Sequence, residues 1–244
     1  MSARGAEPQL TLDLFKTAHH DFASFLPGAN SEALRAVQQW SGRSGARVVH
    51  LRGGAASGKS HLLQAAIVAV ASSGVRTMYV PLRELFPDGE QLLDDLDSVD
   101  MVALDDIDVC VGHAGWERRL FNLYNAMHAS ERWLLWSARA EPAFALPDLG
   151  SRLKASLIYQ LHELNDEEKA AVLRGRARER GLELSEAVIE FIMLRERRDM
   201  KTLVALLDEL DQIALAQGRA LTVPFVREVL AARKGAAEDS NAAL

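Results

Sequence analysis

The sequence has little cysteine, no long apolar run and no excess of positive charge, and each shortage excludes a class of protein. Cys110 is the single cysteine among 244 residues, so no disulfide can form within the chain, which fits a reducing cytoplasm. No charged stretch followed by an apolar run opens the sequence as a signal peptide would. No apolar run reaches the ~20 residues of a membrane-spanning helix. We expect a soluble, cytoplasmic protein with no membrane partner.

The net charge of −6 gives no global positive field of the kind that drives non-specific binding to nucleic acid. The most basic segment has arginines at 174, 176, 178 and 180, and a spacing of two spreads them around a helix. That pattern favours a solvated helix face. Any contact with DNA is therefore expected to be local or indirect.

Short apolar segments alternate with longer helical patterns through the first two thirds of the chain. Near-continuous apolar strands separated by helices are typical of a parallel sheet covered on both faces, so we predict an α/β fold with five parallel strands between helices. The predicted strands are residues 47–51, 76–82, 100–107, 132–138 and 156–162.

After residue 163 the strand patterns stop and a small all-helical lobe follows. Asn165 and Ser185 are residue types that cap helix N-termini, so we expect helices to begin directly after them. Residues 234–244 lack a periodic pattern and are predicted to be a disordered tail. The predicted organisation is a flexible tail over 1–18, an α/β domain over 19–163, a helical lid lobe over 164–233 and the terminal tail.

A glycine-rich segment directly after the first predicted strand matches G-x-x-x-x-G-K-[ST] and leads into an apolar helix, the context of a phosphate-binding loop. Glycines let successive backbone N–H groups face the phosphates, the lysine reaches the outer phosphates and the serine hydroxyl ligates Mg²⁺. We therefore predict bound ADP or ATP with Mg²⁺. The predicted nucleotide-binding residues in this loop are Gly53, Gly54, Ala55, Ala56, Ser57, Gly58, Lys59, Ser60 and His61.

Two carboxylates, Asp105 and Asp106, end the third predicted strand. In phosphate-loop proteins the first such residue holds Mg²⁺, together here with Ser60, and its neighbour orients the attacking water. We assign a metal role to Asp105 and a catalytic role to Asp106. The alternative is a pair of acids that cap a turn.

Five motifs together resemble the AAA+ module of DnaA-type bacterial replication initiators over roughly residues 20–232. The last helix and a short N-terminal Q-L-x-L-x-L resemble, more closely, the Hda family of DnaA-homologous regulators. The motifs are the phosphate-binding loop, LDDI at 104–107, S-x-R-x-x-P at 137–142, L-x-S-R-L at 149–153 and M-K-T-L at 200–203.

The resemblance implies a regulator that sits on DNA-loaded β sliding clamps and stimulates ATP hydrolysis by the DnaA initiator, which prevents re-initiation. Arg152 matches the arginine finger that acts on nucleotide held by a neighbouring subunit, and the N-terminal motif matches the clamp-binding peptide. DNA would then be reached through the clamp, since the sequence ends soon after the lobe without a helix-turn-helix pattern. The implied clamp-binding residues are Gln9, Leu10, Leu12, Leu14 and Phe15.

Alternatives stay open at several of these positions. Residues 9–15 alternate with period two, as an edge strand of the chain's own sheet also would. Arg152 and Lys201 could be ordinary solvated cations. Phe25 either packs under the sheet or lines the pocket for the base, and Cys110 is expected to be a packed residue.

Two departures from the family pattern predict weak hydrolysis by the chain itself. Ala138 stands where the family has a polar residue between the serine and the arginine of S-x-R. The resemblance also implies that Lys201 of the lobe binds the nucleotide, and there it replaces the usual arginine, which keeps a cation but loses the two-pronged fork. The alternative is a self-sufficient AAA+ ATPase such as a helicase loader, and head-to-tail contacts between copies are compatible with both.

Overall fold

A computed structural model describes the backbone of residues 20–241 and the side chains of residues 20–96 and 98–233. The chain divides into two compact units, with the boundary between Glu163 and Leu164. The first unit is built on a β-sheet and the second on helices. Within the described range, no helix has the length and apolar character needed to cross a lipid bilayer.

The first unit is organised around a parallel sheet of five strands, as the succession of apolar segments and helical patterns in the sequence predicts. The strands are β1 (Val48–Arg52), β2 (Thr77–Pro81), β3 (Met101–Asp105), β4 (Trp133–Ala138) and β5 (Leu157–Gln160). Their spatial order is β2-β3-β4-β1-β5. All five residues of β3 are buried, which explains why its segment reads as a continuous apolar run rather than an alternating one.

Five helices cover the two faces of this sheet, and three short 3-10 segments lie at Gly28–Asn30, Glu90–Ser98 and Ile107–Cys110. The helices are α1 (Ser31–Ser41), α2 (Lys59–Val70), α3 (Leu82–Leu85), α4 (Ala114–Ala129) and α5 (Pro147–Ala155). Trp40 of α1 and Leu62 of α2 share one buried cluster with Val49 of β1. Trp116 of α4 and Leu149 of α5 share another with Trp136 of β4. Adjacent strand residues point to opposite faces, so the sheet carries both clusters.

The strand order determines which loops meet at one edge. In a parallel sheet all carboxyl ends lie on the same side, and ligands of open α/β sheets bind outside those ends. β1 lies between β4 and β5, and β4 lies between β1 and β3. The residues that follow β1, β3 and β4 are therefore neighbours in space, although they are far apart in sequence.

The second unit contains the helices α6 (Asp166–Glu179), α7 (Glu186–Arg195), α8 (Met200–Gln217) and α9 (Val223–Asn241). The Asn165 side chain accepts a hydrogen bond from the backbone N–H of Glu168, and the Glu168 carboxylate accepts one from the backbone N–H of Asn165. Ser185 accepts the backbone N–H of Val188 in the same way. Both predicted N-caps are thus confirmed. Leucines of α8 and Phe225 of α9 lie in the core of this unit.

The end of the chain differs from the sequence prediction. Helix α9 continues through Asn241, whereas an irregular tail is predicted from residue 234. Lys234, Ala236, Ala237 and Glu238 have high intrinsic helix propensity, whereas the other residues of the segment to Asn241 do not. A helix already started at Val223 is extended at low cost, because the costly step is nucleation. Extension of an existing helix therefore prevails where no hydrophobic period is visible.

Candidate functional site

The glycine-rich loop lies between β1 and α2, and two of its glycines are required by the surrounding atoms. A Cβ on Gly53 would lie 2.6 Å from the carbonyl oxygen of Leu161 and 2.7 Å from the Ser57 hydroxyl. Gly58 has φ of +92°, and a Cβ there would lie 2.8 Å from the ring of Phe25. The first glycine thus permits a close backbone approach and the second a left-handed turn into the helix.

Lys59 is the buried cation of this loop, only 6% exposed in the first turn of α2. Its ammonium donates to the carbonyl oxygens of Gly53 and Gly54, each at 2.7 Å. Burial lowers the pKa of Lys59, and the nearby carboxylates of Asp106 and Asp105 oppose that shift. An ammonium has three donors, so one remains for a ligand oxygen. The loop therefore holds a positive charge at the helix N-terminus, where anions are favoured.

The other predicted loop residues shape its outer side. The Ser57 hydroxyl donates to the carbonyl of Gly54 at 3.0 Å, which tightens the turn. Ala56 has φ of +60°. Gly54, Ala55 and Ser60 are exposed, on the side of the loop that a ligand can reach.

The segment before α1 closes one side of the loop. Phe25 is buried against α1 and α2 and contacts His61 edge to face, with 5.3 Å between ring centroids. A ring nitrogen of His61 lies 2.9 Å from the carbonyl oxygen of Asp21. Of the two alternatives for Phe25, packing under the sheet is confirmed, and the same ring also borders Gly58. The pairing of His61 with Asp21 has no signal in the sequence.

Asp105 ends β3 as a buried carboxylate, 4% exposed. It accepts hydrogen bonds from the hydroxyl of Ser137 at the end of β4 and from the hydroxyl of Tyr79 on β2, the latter at 2.9 Å. Burial and the adjacent carboxylate raise the pKa of Tyr79 well above its usual range. Neighbouring strands on both sides thus orient Asp105.

Asp106 adopts a left-handed conformation directly after β3, with φ of +58°. Its backbone N–H donates to the Ser137 hydroxyl at 3.0 Å, and its carboxylate accepts from Nε of Arg83 on α3 at 2.7 Å. The Arg83 guanidinium also lies 3.8 Å from Asp108. Asp106 precedes the 3-10 turn at Ile107–Cys110 without a side-chain capping bond, so the turn-capping alternative is not supported for it.

Arg83 and Arg139 are two further cations near this site, and neither is among the predicted site residues. Arg83 is exposed on α3, and its hydrogen bond to Asp106 raises its pKa. Arg139 follows β4, its backbone N–H donates to Asp108 at 3.2 Å, and its charge contributes to the lowered pKa of Lys59. Both lie far in sequence from the loop, so only the strand order reveals that they are neighbours.

The residues fit a magnesium ion held largely through water. Among the residues that the structure describes, no three carboxylate, histidine or cysteine side chains cluster as metal ligands. Mg²⁺ usually keeps several waters and takes one or two protein oxygens plus phosphate. The predicted pair, Ser60 and Asp105, provides such oxygens, and each Asp105 oxygen retains a free lone pair beside its hydrogen bond. When bound, the ion would neutralise charge on the phosphates.

Arg152 lies elsewhere, exposed on α5. Its guanidinium carbon stands 5.8 Å from the ring centroid of Tyr124 on α4. Among the side chains described, at residues 20–96 and 98–233, no carboxylate lies within ion-pair distance of Arg152. Lys154 on the same helix, in contrast, pairs with Glu141 at 3.1 Å.

The remaining predicted residues have simpler environments. Lys201 is exposed in the first turn of α8, in the second unit. Ala138 is fully buried at the end of β4. Cys110 is fully buried, and burial raises the pKa of its thiol to about 12, so it is a packed residue as predicted. The predicted clamp-binding residues, within 9–15, lie outside the described part of the chain.

Two family models match the sequence. The model of the bacterial DnaA ATPase domain matches residues 16–162, more than half of the chain. The model of the Hda lid domain matches residues 166–230. The boundary between the two matches agrees with the boundary between the two compact units at Glu163 and Leu164.

Solved structures share the fold. Domain III of the DnaA replication initiation protein from Thermotoga maritima is 22% identical, with a TM-score of 0.72, over 85% of this chain and 93% of that one. AMPPCP-bound DnaA from Aquifex aeolicus is 21% identical, with a TM-score of 0.64, over 80% and 66%. The RuvB Holliday junction branch migration motor of Thermotoga maritima is 15% identical, with a TM-score of 0.58, over 83% and 67%.

These similarities and the geometry of the loop agree on one assignment. A glycine-rich loop with a buried lysine, two acids at the end of β3 and a helical second unit are the parts of an AAA+ nucleotide-binding module, and the family models cover both units. The predicted fold class is therefore confirmed. The chain belongs to the DnaA-like AAA+ proteins and carries a lid domain of the Hda type.

Proposed function

We propose that this chain is a regulator of replication initiation that supplies Arg152 to the nucleotide site of a DnaA-type initiator. It would hold ADP or ATP with Mg²⁺ in its own loop, bind the DNA polymerase III β sliding clamp on DNA, and stimulate ATP hydrolysis by the initiator. Conversion of the initiator to its ADP form would then prevent re-initiation. In the cell this places the protein in the cytoplasm, associated with DNA through the clamp.

The observation that supports this proposal most is the environment of Arg152. Its guanidinium is exposed, and within the described residues it has no carboxylate partner. A planar, permanently charged group can contact two phosphate oxygens where negative charge accumulates in the transition state. Arginine fingers supplied from another molecule accelerate phosphoryl transfer by ~10³ to 10⁵. One such residue is sufficient to turn a binding partner into an activator.

The chain's own nucleotide site favours binding over turnover. The carboxylate of Asp106, which would orient the attacking water, is paired with Arg83 at 2.7 Å. Ala138 offers no polar side chain at the end of β4. A lysine at 201 lacks the fork of an arginine. These three features support a protein that keeps its nucleotide as a conformational ligand.

The clamp-binding role rests on the sequence of residues 9–15 and the family resemblance. An extended peptide inserts alternate side chains into preformed pockets, which Gln9, Leu10, Leu12 and Leu14 are suited to do. We expect Gln9→Ala with Leu14→Ala to abolish clamp binding without a change in thermal stability. The matched control, Thr11→Ala with Asp13→Ala, alters the intervening residues and should bind. Loss of stability in the first variant would indicate an edge strand instead.

The central test is a reconstituted reaction with initiator, clamp, DNA and ATP, in which phosphate release is measured. Arg152→Ala should retain nucleotide and clamp binding but give no stimulation. Lys154→Ala is the control, because it removes an exposed cation from the same helix, two residues away. Full stimulation by Arg152→Ala would remove the proposed role.

A helicase-loader-like ATPase is the second candidate, favoured by the intact loop and by Asp105 and Asp106 in place after β3. The protein alone with ATP and Mg²⁺ separates the two functions. Fast turnover that is insensitive to the clamp supports the loader, whereas turnover that needs initiator, clamp and DNA supports the regulator. Head-to-tail association of copies would accompany the loader function, since a finger would then act on a second copy of the chain.

A further inference from the structure

We infer that Tyr124 on α4 is the positioning residue for Arg152 and sets the efficiency of the arginine finger. This inference rests on the function proposed above. It concerns a residue that would touch neither nucleotide nor phosphate and would act through the guanidinium alone. The same helix also anchors the segment that leads into α5, through Glu117.

The aromatic ring of Tyr124 contacts the guanidinium of Arg152 and supports it. The guanidinium carbon lies 5.8 Å from the ring centroid, within the range of a cation–π contact. An exposed arginine populates many rotamers, and it loses this conformational freedom when the side chain binds a phosphate, which costs entropy. The Tyr124 ring limits the rotamers of Arg152 before any phosphate is bound. A carboxylate partner would also do so, but it would compete with phosphate for the same N–H groups, and the aromatic face does not.

The ring of Tyr124 is itself fixed by the core. It is 6% exposed and stacks on the fully buried Trp136 of β4, with 5.6 Å between centroids and 18° between planes. His128, one turn along α4, stacks on the same ring at 5.8 Å and 13°. A ring held by packing on neighbouring rings has one orientation, so the support it gives to Arg152 is rigid.

Glu117 fixes the start of the helix that carries Arg152. Its buried carboxylate, 1% exposed, accepts backbone N–H groups of Leu146 at 2.7 Å and Ala145 at 3.1 Å, directly before α5, and of Gly112 at 2.7 Å. A carboxylate that accepts several backbone N–H groups orders the loop it binds. Positions 117 and 124 are seven residues apart, on one face of α4. One face of α4 therefore holds both the backbone that leads into α5, through Glu117, and the side chain of Arg152, through Tyr124.

This arrangement is preorganisation of a group that acts in trans. The gain from a finger depends on its position at the transition state, and a misplacement of ~1 Å can cost about 10²-fold in rate. Removal of the aromatic support should therefore lower the stimulated kcat more than the affinity for the initiator. A residue that only formed part of the docking surface would change the affinity first.

The test compares Tyr124→Leu with the conservative Tyr124→Phe, which keeps the ring. In the reconstituted reaction with initiator, clamp, DNA and ATP, Tyr124→Leu should lower the saturating rate by ~10-fold, with an unchanged half-saturating concentration. Tyr124→Phe should retain the rate of the unchanged protein. Urea unfolding reports whether the fold is preserved. If Tyr124→Leu is destabilised, Tyr124→Met provides an unbranched, adaptable side chain for the same comparison.

Arg152→Ala and the double variant with Tyr124→Leu separate the possible failures. The double variant should be no slower than Arg152→Ala alone, because Tyr124 acts through the arginine. A full rate with Tyr124→Leu in a folded protein, or a change confined to the half-saturating concentration, would overturn the positioning role and leave the finger intact. A full rate with Arg152→Ala would overturn the proposed function itself.

Discussion

Lys59 and Arg152 are two cations of the same unit in opposite environments. Lys59 is 6% exposed and bound by two carbonyl oxygens, and burial lowers its pKa against the opposing charges of nearby carboxylates. Arg152 is exposed, supported by an aromatic ring and, within the described residues, free of carboxylates. The first cation is bound within the chain's own glycine-rich loop. The second has the environment of a group that another molecule would complete.

On the proposed function, these two environments separate the binding of a nucleotide by the chain from its action on the nucleotide of a partner. Around Lys59 every change should appear in nucleotide affinity or in the free energy of unfolding. Around Arg152 changes should appear in the activity of the partner and hardly in stability.

Lys59→Ala should cause the largest loss. It removes the buried ammonium, whose remaining donor would bond a phosphate oxygen, and truncation of one partner of a buried, hydrogen-bonded charge pair costs ~2 to 5 kcal/mol. Nucleotide affinity should fall by ~30-fold to several thousand-fold. Isothermal titration with ADP and with ATP measures this. Lys154→Ala is the matched exposed control, and an unchanged affinity in Lys59→Ala would contradict the assignment of the loop.

His50 on β1 makes the stability of the first unit pH-dependent. It is 1% exposed, and neither ring nitrogen has a hydrogen-bond partner among the described residues. Burial, aided by the charge of Arg52 and opposed by Glu141, lowers its pKa from 6.5 to about 4. The unfolded state therefore binds the proton more strongly, so stability is complete above about pH 6.5 and falls as the pH drops toward 4. The loss reaches about 3 kcal/mol.

Urea unfolding followed by tryptophan fluorescence measures this effect selectively. All four tryptophans, at 40, 116, 133 and 136, belong to the first unit. His50→Leu should flatten the dependence between about pH 6.5 and pH 4. His113→Leu, at an exposed histidine, should leave it in place. Equal pH dependence in both variants would show that other groups control acid stability.

Arg83→Gln should raise hydrolysis by the chain alone. The arginine holds the Asp106 carboxylate at 2.7 Å, and its removal frees that carboxylate to orient water. We expect a rise of ~10-fold, about 1.4 kcal/mol of barrier, a fraction of what general base catalysis contributes. Phosphate release in the absence of initiator is the measurement. Arg76→Gln, which breaks the ion pair with Asp100 beside the amino end of β2, is the control and should have no effect. A lower rate in Arg83→Gln would mean that Arg83 assists turnover.

Arg152→Ala should have the smallest effect on stability. The contact with Tyr124 is worth about 0.5 to 1 kcal/mol, and exposed substitutions rarely cost more. The midpoint of urea unfolding should therefore shift only slightly. A loss of several kcal/mol would place Arg152 within the structural core of the unit and break the contrast with Lys59.

Local patterns in the sequence predict most of the fold. Five apolar segments, the glycine-rich loop and the caps at Asn165 and Ser185 each identify an element from its own residues, and the structure has all of them. The exception is α9, which continues as a helix to Asn241 past the visible hydrophobic period. Elements that depend on neighbours along the chain are thus accessible from the sequence.

The contacts that tune the site are not accessible in this way. Arg83 meets Asp106, Tyr124 meets Arg152 and Glu117 meets Leu146 across separations of 23 or more residues. Each depends on how the strands are ordered and which helix face turns inward. No residue type or spacing signals these pairs, because arginine, tyrosine and glutamate are common on helices. The sequence therefore predicts which residues can act, and the fold determines how they are held.

On the proposed function, the hydrolysed ATP belongs to another molecule. A direct comparison of Asp106→Asn with Arg152→Ala tests this. Both variants, preloaded with ADP, are mixed with clamp, DNA and initiator that carries labelled ATP, and the conversion of that ATP is followed. We predict that Asp106→Asn converts it as fast as the unchanged protein and that Arg152→Ala loses ~10³-fold or more. Loss of conversion with Asp106→Asn and retention with Arg152→Ala would contradict the claim and identify a self-contained ATPase.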